Sequence, residues 1–238
     1  MDNHELTAII MAGGQGTRLQ PLTAEIPKPL VTVGDRPIVE ILLRRMARCG
    51  VRRIVLCVNH LAHLIQATLG NGHDLDLCIE YYTEDEPLST VAPIAAVENL
   101  PDNFLVANGD ILTDLNFRRL FDFHLQQETL VTVATHQRQN DVDFGVMATD
   151  SAGLVTGFHE KPSFELTVSM GVYVFNRRVL EYIPPDSPFG FDNLMETLLR
   201  EERKIATYPF EGYWLDIGRP EDYRQAQLDI VERGELLE

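Results

Sequence analysis

Residues 11–30, MAGGQGTRLQPLTAEIPKPL, follow the apolar run Thr7-Ala8-Ile9-Ile10-Met11 and decide how the chain is read. A strand that empties into Gly13, Gly14 and Gly16 offers a loop without Cβ atoms, which turns tightly and brings several backbone N–H groups against an anion. Two cations follow: Arg18, and Lys28 between Pro27 and Pro29, which are expected to hold its backbone extended. A guanidinium grips phosphate oxygens in pairs, so a stiffened loop of this kind suits a triphosphate clamp. A glycine-rich turn with surface cations is the competing reading. The two familiar phosphate fingerprints do not fit. Gly14-Gln15-Gly16-Thr17-Arg18-Leu19 places leucine where a dinucleotide loop has its third glycine, and no G-x-x-x-x-G-K-[ST] occurs.

Working outward, Pro37 can open a helix whose Ile38, Ile41, Leu42, Met46 and Cys49 share one face before Gly50 stops it. A strand is expected over 51–58, a helix over 62–69, a strand over 77–82, a short helix over 93–99 and a strand over 104–107. Strands that are apolar on both faces and alternate with helices predict a parallel sheet covered on both sides. Beyond residue 128 the pattern changes to short strands at 129–135, 145–149, 155–159 and 168–175, read as antiparallel additions. Helices at 178–183 and 193–203, a strand at 205–209 and a helix from Pro220 to about Val231 complete the chain. The fold class is therefore α/β: a Rossmann-like, predominantly parallel mixed sheet with helices on both faces. One domain is expected over 1–238, with a first half of about 1–128 and a second of about 129–238.

The 238 residues are 45% hydrophobic, enough for a sizeable core, and carry a formal charge of −16. That charge argues against nucleic acid and anionic membranes as partners, so an anionic substrate must be met by a local cluster of cations. No stretch reads as a secretory signal or membrane span, and the protein is expected to be cytoplasmic. Cys49, Cys57 and Cys78 are odd in number and lie in apolar segments, so they are read as core residues under reducing conditions.

The run GGQGTRLQPLTAEIPKPL resembles the signature of the sugar-1-phosphate nucleotidyltransferases, in which G-x-G-T-R-L-x-P-L-T is followed by P-K-P. Later segments resemble that family in the right order: NGD at 108–110, FGV at 144–146, EKP at 160–162 and GYWLDIGRPEDY at 212–223. The resemblance implies the nucleotide-diphospho-sugar transferase type of fold. It also implies transfer of a nucleotidyl group from an NTP to a sugar 1-phosphate, with release of pyrophosphate and with Mg²⁺ as cofactor. By the same resemblance Arg18, Lys28 and Asp110 are catalytic, and Asp110 and Asp216 hold the metal. Met11, Ala12, Gly13, Gly14, Gln15, Gly16, Thr17, Arg18, Lys28, Ser89, Thr90, Asn108 and Gly109 bind the nucleotide. Gly145, Glu160, Lys161, Ser169 and Gly171 bind the sugar phosphate. A homo-oligomer is a further implication. The ending GRPEDYRQAQ resembles the short guanylyl members of surface-sugar pathways, pointing to GTP and to mannose or heptose 1-phosphate.

Two segments depart from the family pattern. The base-contacting L-G-T-A-G is here Leu88-Ser89-Thr90-Val91-Ala92, so any position in it that needs positive φ is strained. Ser169-Met170-Gly171 replaces Asn-Ala-Gly, leaving Met170 to line a sugar pocket or to join the core. Asp141-Val142-Asp143 forms a D-x-D, the basis of an alternative reading as a metal-dependent glycosyltransferase. A non-catalytic nucleotide-sugar binder is the other alternative.

Overall fold

Alternation along Leu6–Met11 builds two cores at once: Leu6, Ala8 and Ile10 pack on one face with Leu42, Leu56 and Leu105, while Ile9 packs on the other with Val55, Val106 and Phe175. The structure, a computed structural model, describes residues 5–84, 86, 88–184 and 187–237, with side chains as far as 234. In chain order, β1 (Leu6–Met11) leads through the glycine loop to a short antiparallel pair, β2 (Thr32–Val33) and β3 (Arg36–Pro37). Next come α1 (Ile38–Arg48), β4 (Val51–Val58), α2 (Ala62–Leu69), β5 (Cys78–Thr83), β6 (Asn103–Asn108) and β7 (Ile111–Thr113). The remaining elements are α3 (Phe117–Gln127), β8 (Val131–Asp141), β9 (Val146–Thr149), β10 (Val155–His159), β11 (Ser163–Asn176), α4 (Phe191–Arg200), β12 (Ile205–Pro209), β13 (Trp214–Asp216) and α5 (Pro220–Leu237).

The main sheet has the order β12-β8-β11-β6-β1-β4-β5. Its neighbours pair parallel except around β11, which runs against both β6 and β8. The expected antiparallel additions to this sheet thus reduce to one strand; 131–141 keeps the direction of β1. From β1 the chain moves to β4 and β5 on one side, and β6 then joins on the other. The order therefore reverses between β1 and β6, and the crevice at their carboxyl ends is where an open α/β sheet offers a ligand site. A third, smaller cluster of Leu19, Val31, Val33, Ile38, Ile41, Leu112, Ile217 and Ala226 ties the glycine loop to β7, β13 and α5.

Several expectations need correction. The segments at 93–99 and 178–183 form only 3₁₀ turns, Ala92–Ala96 and Arg177–Tyr182. β8 and β11 run well beyond the expected 129–135 and 168–175, into a ribbon pairing 136–141 with 163–168. Cys57 is buried as expected, but Cys78 lies exposed on the outermost strand, whose alternation turns it to solvent. Met170 belongs to the core. The helix α3 was not anticipated; Asn116 caps it by accepting from the Arg119 amide at 3.0 Å. Among the described residues no helix is long and apolar enough to cross a membrane.

Inside α3, His124 is buried, with Nδ1 2.8 Å from the Thr132 hydroxyl and Nε2 donating to Asn103 Oδ1 at 3.1 Å. Burial pushes its pKa down to about 4. An unfolded histidine titrates near ~6.5, so its neutral form supports folding fully above that pH. This contribution drains as pH falls from there towards 4, by at most about 1.4 kcal/mol per pH unit. Denaturant unfolding between pH 7.5 and 5 should show this loss, and His124→Gln should flatten it.

Candidate active site

The crevice between β1 and β6 is lined by Met11, Ala12, Gly13 and Gly14 on one side and Asn108, Gly109 and Asp110 on the other. Lys28, Pro29, Glu84, Ser89 and Thr90 complete a cavity of about 240 Å³. The two strand ends are stitched by the Gly109 amide, which donates to the Met11 carbonyl at 2.9 Å. A Cβ on Gly109 would lie 3.2 Å from that same oxygen, so a side chain here would force the strand ends apart. Gly16 has φ +64°, and a Cβ on it would stand 3.0 Å from both Lys28 Cβ and Thr23 Cγ2. Its carbonyl also accepts from the Thr23 hydroxyl at 2.7 Å, so the glycine loop and the Pro27-Lys28-Pro29 segment are packed as one unit. Gln15, Gly16 and Thr17 do not line the cavity. Thr17 opens a 3₁₀ turn that carries Leu19 into the third cluster. Lys28 itself is not extended but begins the 3₁₀ turn Lys28–Leu30, with Pro27 ahead of it in the extended region. That turn buries Lys28 and points it inward.

There Lys28 Nζ forms an ion pair with Asp110 Oδ2. The other oxygen, Asp110 Oδ1, is buried and finds no hydrogen-bond partner among the described residues. Asp216 is brought alongside by the antiparallel pairing of β7 with β13, which sets Asp216 opposite Ile111, while the Ile217 amide donates to the Asp110 carbonyl at 3.0 Å. The Asp216 carboxyl opens into a second cavity, yet its pKa is raised, first by burial and then by the Asp110 charge, with Lys28 and Arg18 acting in the opposite sense. Two carboxylates that disfavour each other's charge, one with an orphaned oxygen, form a donor set that fits a divalent cation. Among the described residues no third protein ligand joins them, so such an ion would take its remaining oxygens from phosphate and water.

Arg18 does not share the first cavity with Lys28. It lines the second, of about 690 Å³, with Trp214, Leu215, Asp216, Gly218, Arg219 and the ribbon residues 136–140. The two expected cations therefore flank the aspartate pair from different sides. Of the residues expected on the sugar side, Gly171 meets the nucleotide side directly. It has φ +71°, and a Cβ there would be 2.6 Å from Asn108 Nδ2. Ser169 and Gly171 sit where β11 breaks register opposite β8, with the Gly171 amide donating to Ser169 Oγ at 3.3 Å. Gly145 and Glu160 adjoin one another, a Gly145 Cβ falling 3.2 Å from Glu160 Oε2, and Lys161 follows with φ 43°. These three are exposed at the base of the β9–β10 hairpin and line neither cavity. Asp141 and Asp143 are exposed and also line neither of these two cavities. Asp216 does not cap the last helix; Asp222 does, accepting from the amides of Gly218 at 3.2 Å and Arg219 at 2.8 Å.

Glu84 is a site residue that sequence reasoning missed. It is buried against Gly13, its Oε2 accepts from the Leu88 amide at 2.8 Å, and burial raises its pKa. It follows the end of β5 within Thr-Glu-Asp-Glu, where no motif or spacing sets it apart from its acidic neighbours. Next to it, Ser89 has φ 71°, the left-handed region that glycine tolerates and serine does not. Ala92, at the other substituted glycine position, has no such φ and is buried. Ser89→Gly should therefore raise stability by about 0.5–1 kcal/mol in denaturant unfolding, whereas Ala92→Gly should lower it by a similar amount.

Comparison with known proteins bears on this geometry. The chain is 34% identical over 237 residues to a mannose-1-phosphate guanylyltransferase of Mycobacterium tuberculosis, covering 97% of this chain and 66% of that protein. It is 32% identical to the mannose-1-phosphate guanyltransferase of Saccharomyces cerevisiae, covering 92% and 63%. The chain thus spans a little under two thirds of the length of these relatives. HddC from Yersinia pseudotuberculosis superposes with a TM-score of 0.73 at 26% identity, covering 94% of this chain and 99% of HddC. A structure of HddC with GMP-PN superposes equally well, at 25% identity. Residues 7–233 match the model of the nucleotidyl transferases, and the chain belongs to that family.

Proposed function

We propose that this chain transfers a guanylyl group from GTP to a sugar 1-phosphate, with mannose or heptose 1-phosphate as the acceptor class. The observation that carries the reading is the Lys28–Asp110–Asp216 arrangement at the reversal of strand order, with Asp110 Oδ1 left without a partner. An ionised oxygen of the sugar phosphate attacks the α-phosphorus, a new O–P bond forms, the bond to the β-phosphate oxygen breaks, and pyrophosphate departs with the electron pair. No proton need move, because the nucleophile is already an anion at neutral pH. The protein's work is to hold two anions in line and to neutralise charge as it shifts to the leaving group.

In this reading the amide-rich strand ends Met11–Gly14 and Asn108–Gly109 hold the nucleotide, with Ser89 and Thr90 along its base. Asp110 and Asp216 would hold Mg²⁺, which when bound screens the phosphate charges. Lys28 and Arg18 stand on either side of the reacting phosphorus. Gly145, Glu160, Lys161, Ser169 and Gly171 receive the sugar. GTP is supported by the guanylyl relatives and by the GMP-PN complex of HddC. Glu84 Oε1, which no hydrogen bond engages among the described residues, supplies the acceptor that a guanine N–H edge requires. The free thiols fit a reducing compartment such as the cytoplasm.

The test is a matrix of nucleoside triphosphates against sugar 1-phosphates, read as pyrophosphate released. GTP with one of the two acceptors should lead, and Glu84→Gln should narrow the margin of GTP over other bases. Arg18→Ala should lower kcat by ~10²-fold, the worth of a donor aimed at developing charge. Turnover unaffected by loss of Arg18, or no release from any pair, would refute the reading.

A further inference from the structure

The second cavity holds more positive charge than the proposed chemistry has used. Besides Arg18 it is lined by Arg138, on the ribbon strand β8, and Arg219, just ahead of α5. Among the described residues no hydrogen bond or ion pair engages any of these three guanidinium groups. Arg44 is engaged by Glu40, Arg53 by Glu80, Arg177 by Asp102, and Arg45 by the carbonyls of Asp114 and Leu115; Arg48, Arg119 and Arg200 are also without such a partner among the described residues, but they line neither cavity. All three are open to solvent and outnumber the two acids of the cavity, so an anion entering it meets guanidinium donors that no hydrogen bond within the described residues occupies.

The two carboxylates on the wall, Asp216 and Asp222, offset only part of this charge. Asp222 is committed to the amides of Gly218 and Arg219, and Asp216 faces Asp110, where the pair fits a cation. The wall is also stiff. Register places His136, Arg138 and Asn140 on one face of the ribbon, with Leu166 opposite Arg138. The ring nitrogens of His136 reach the carbonyls of Gln137 at 2.8 Å and Gly212 at 3.2 Å, and its ring packs against Trp214 with centroids 5.6 Å apart. Trp214 in turn donates through Nε1 to the Met170 carbonyl at 3.0 Å. Arg18 lies against Gly218, Nη2 being 3.5 Å from where a Cβ would stand.

We infer that the second cavity is a phosphate-anion site built by Arg138 and Arg219 together with Arg18, and that it holds a phosphate-bearing reactant other than the nucleoside triphosphate itself. The inference rests on the nucleotidyl-transfer reading for which reactant occupies the site, but the anion site stands on the cavity alone. Two reactants share the required chemistry: the phosphate of the acceptor sugar, and the departing pyrophosphate. Arg138 and Arg219 bind and orient that group; Asp110, Asp216 and Lys28 remain where the bond changes.

The test uses Arg138→Gln, Arg219→Gln and the double variant, with Arg200→Gln as a control that removes one exposed positive charge on α4, away from both cavities. Each arginine should be worth about tenfold in affinity for the anion, as expected of a charge-assisted hydrogen bond. In the forward direction KM for sugar 1-phosphate, and in the reverse direction KM for pyrophosphate, are measured on the whole chain with Mg²⁺. A rise in the first alone assigns the cavity to the acceptor, and a rise in the second alone assigns it to the leaving group. Where the cavity serves the acceptor, KM for the triphosphate stays within about twofold. Direct calorimetry with pyrophosphate and with inorganic phosphate needs no turnover. Weaker binding in the Arg138 and Arg219 variants, in a chain that proves inactive, upholds the site while removing the reaction. Active variants whose KM values and anion affinities all match those of Arg200→Gln overturn the inference and leave the reaction intact.

Discussion

The rest of the site depends on a buried lysine held against a half-buried aspartate that a second aspartate crowds. Taking Lys28 and Asp110 out of water costs more than a surface pair would, and such a pair contributes little to stability once both desolvation penalties are counted. Here the arrangement is also incomplete: one positive and two negative groups meet, and one Asp110 oxygen has nothing to accept from. A fold selected for stability alone would replace these groups with apolar ones of similar volume. Their retention beside a cleft, with the Asp216 carboxyl pushed up by burial and by its neighbour, has the physical form of a site waiting for a cation and its phosphates.

What holds this charge arrangement in place is apolar and local. Asp110 follows β6 through a two-residue step, and Asp216 ends β13, more than a hundred positions later in the sequence. Only the short pairing of β7 with β13 makes them neighbours, and that pairing rests on the third cluster, in which Leu112 and Ile217 meet Leu19 from the glycine loop and Ala226 from α5. The same cluster takes Val31, directly after the turn that aims Lys28. One small core thus fixes the loop, the lysine and both acids, so a side chain removed from it would disturb catalytic geometry before it disturbed the main sheet.

Much of this was legible in the sequence because the first half obeys simple periodicities. Runs such as Val51–Val58 are apolar on both faces and end at clear turn signals, and they became parallel strands as expected. The ribbon was not legible: Gln137, Arg138, Gln139 and Asn140 have no inward face to alternate with, and their strand is set by backbone pairing to β11. α3 escaped because its buried stripe includes a histidine, a residue that periodicity counts as polar. At the site, the glycines and both acids could be named, but spacing placed Arg18 and Lys28 in one clamp. The 3₁₀ turn at Lys28–Leu30 turns Lys28 into the first cavity while Arg18 lines the second, and no local sequence rule encodes that separation.

The separation resolves a difficulty that a single clamp would pose. Two reactants that both carry several negative charges repel strongly at bonding distance, and a protein with a formal charge of −16 adds its own repulsion. At physiological salt that general field is screened beyond ~8 Å, so the charges that touch each anion decide whether it binds. Giving the nucleotide one cavity with Lys28 and the other phosphate-bearing reactant a second with Arg18, Arg138 and Arg219 lets each anion be neutralised before they meet. Of the paired acids, Asp110 lines the first cavity and Asp216 the second. The acidic exterior disfavours nucleic acid and other polyanions too large to enter, and in the proposed function the cavities take small phosphates that fit inside.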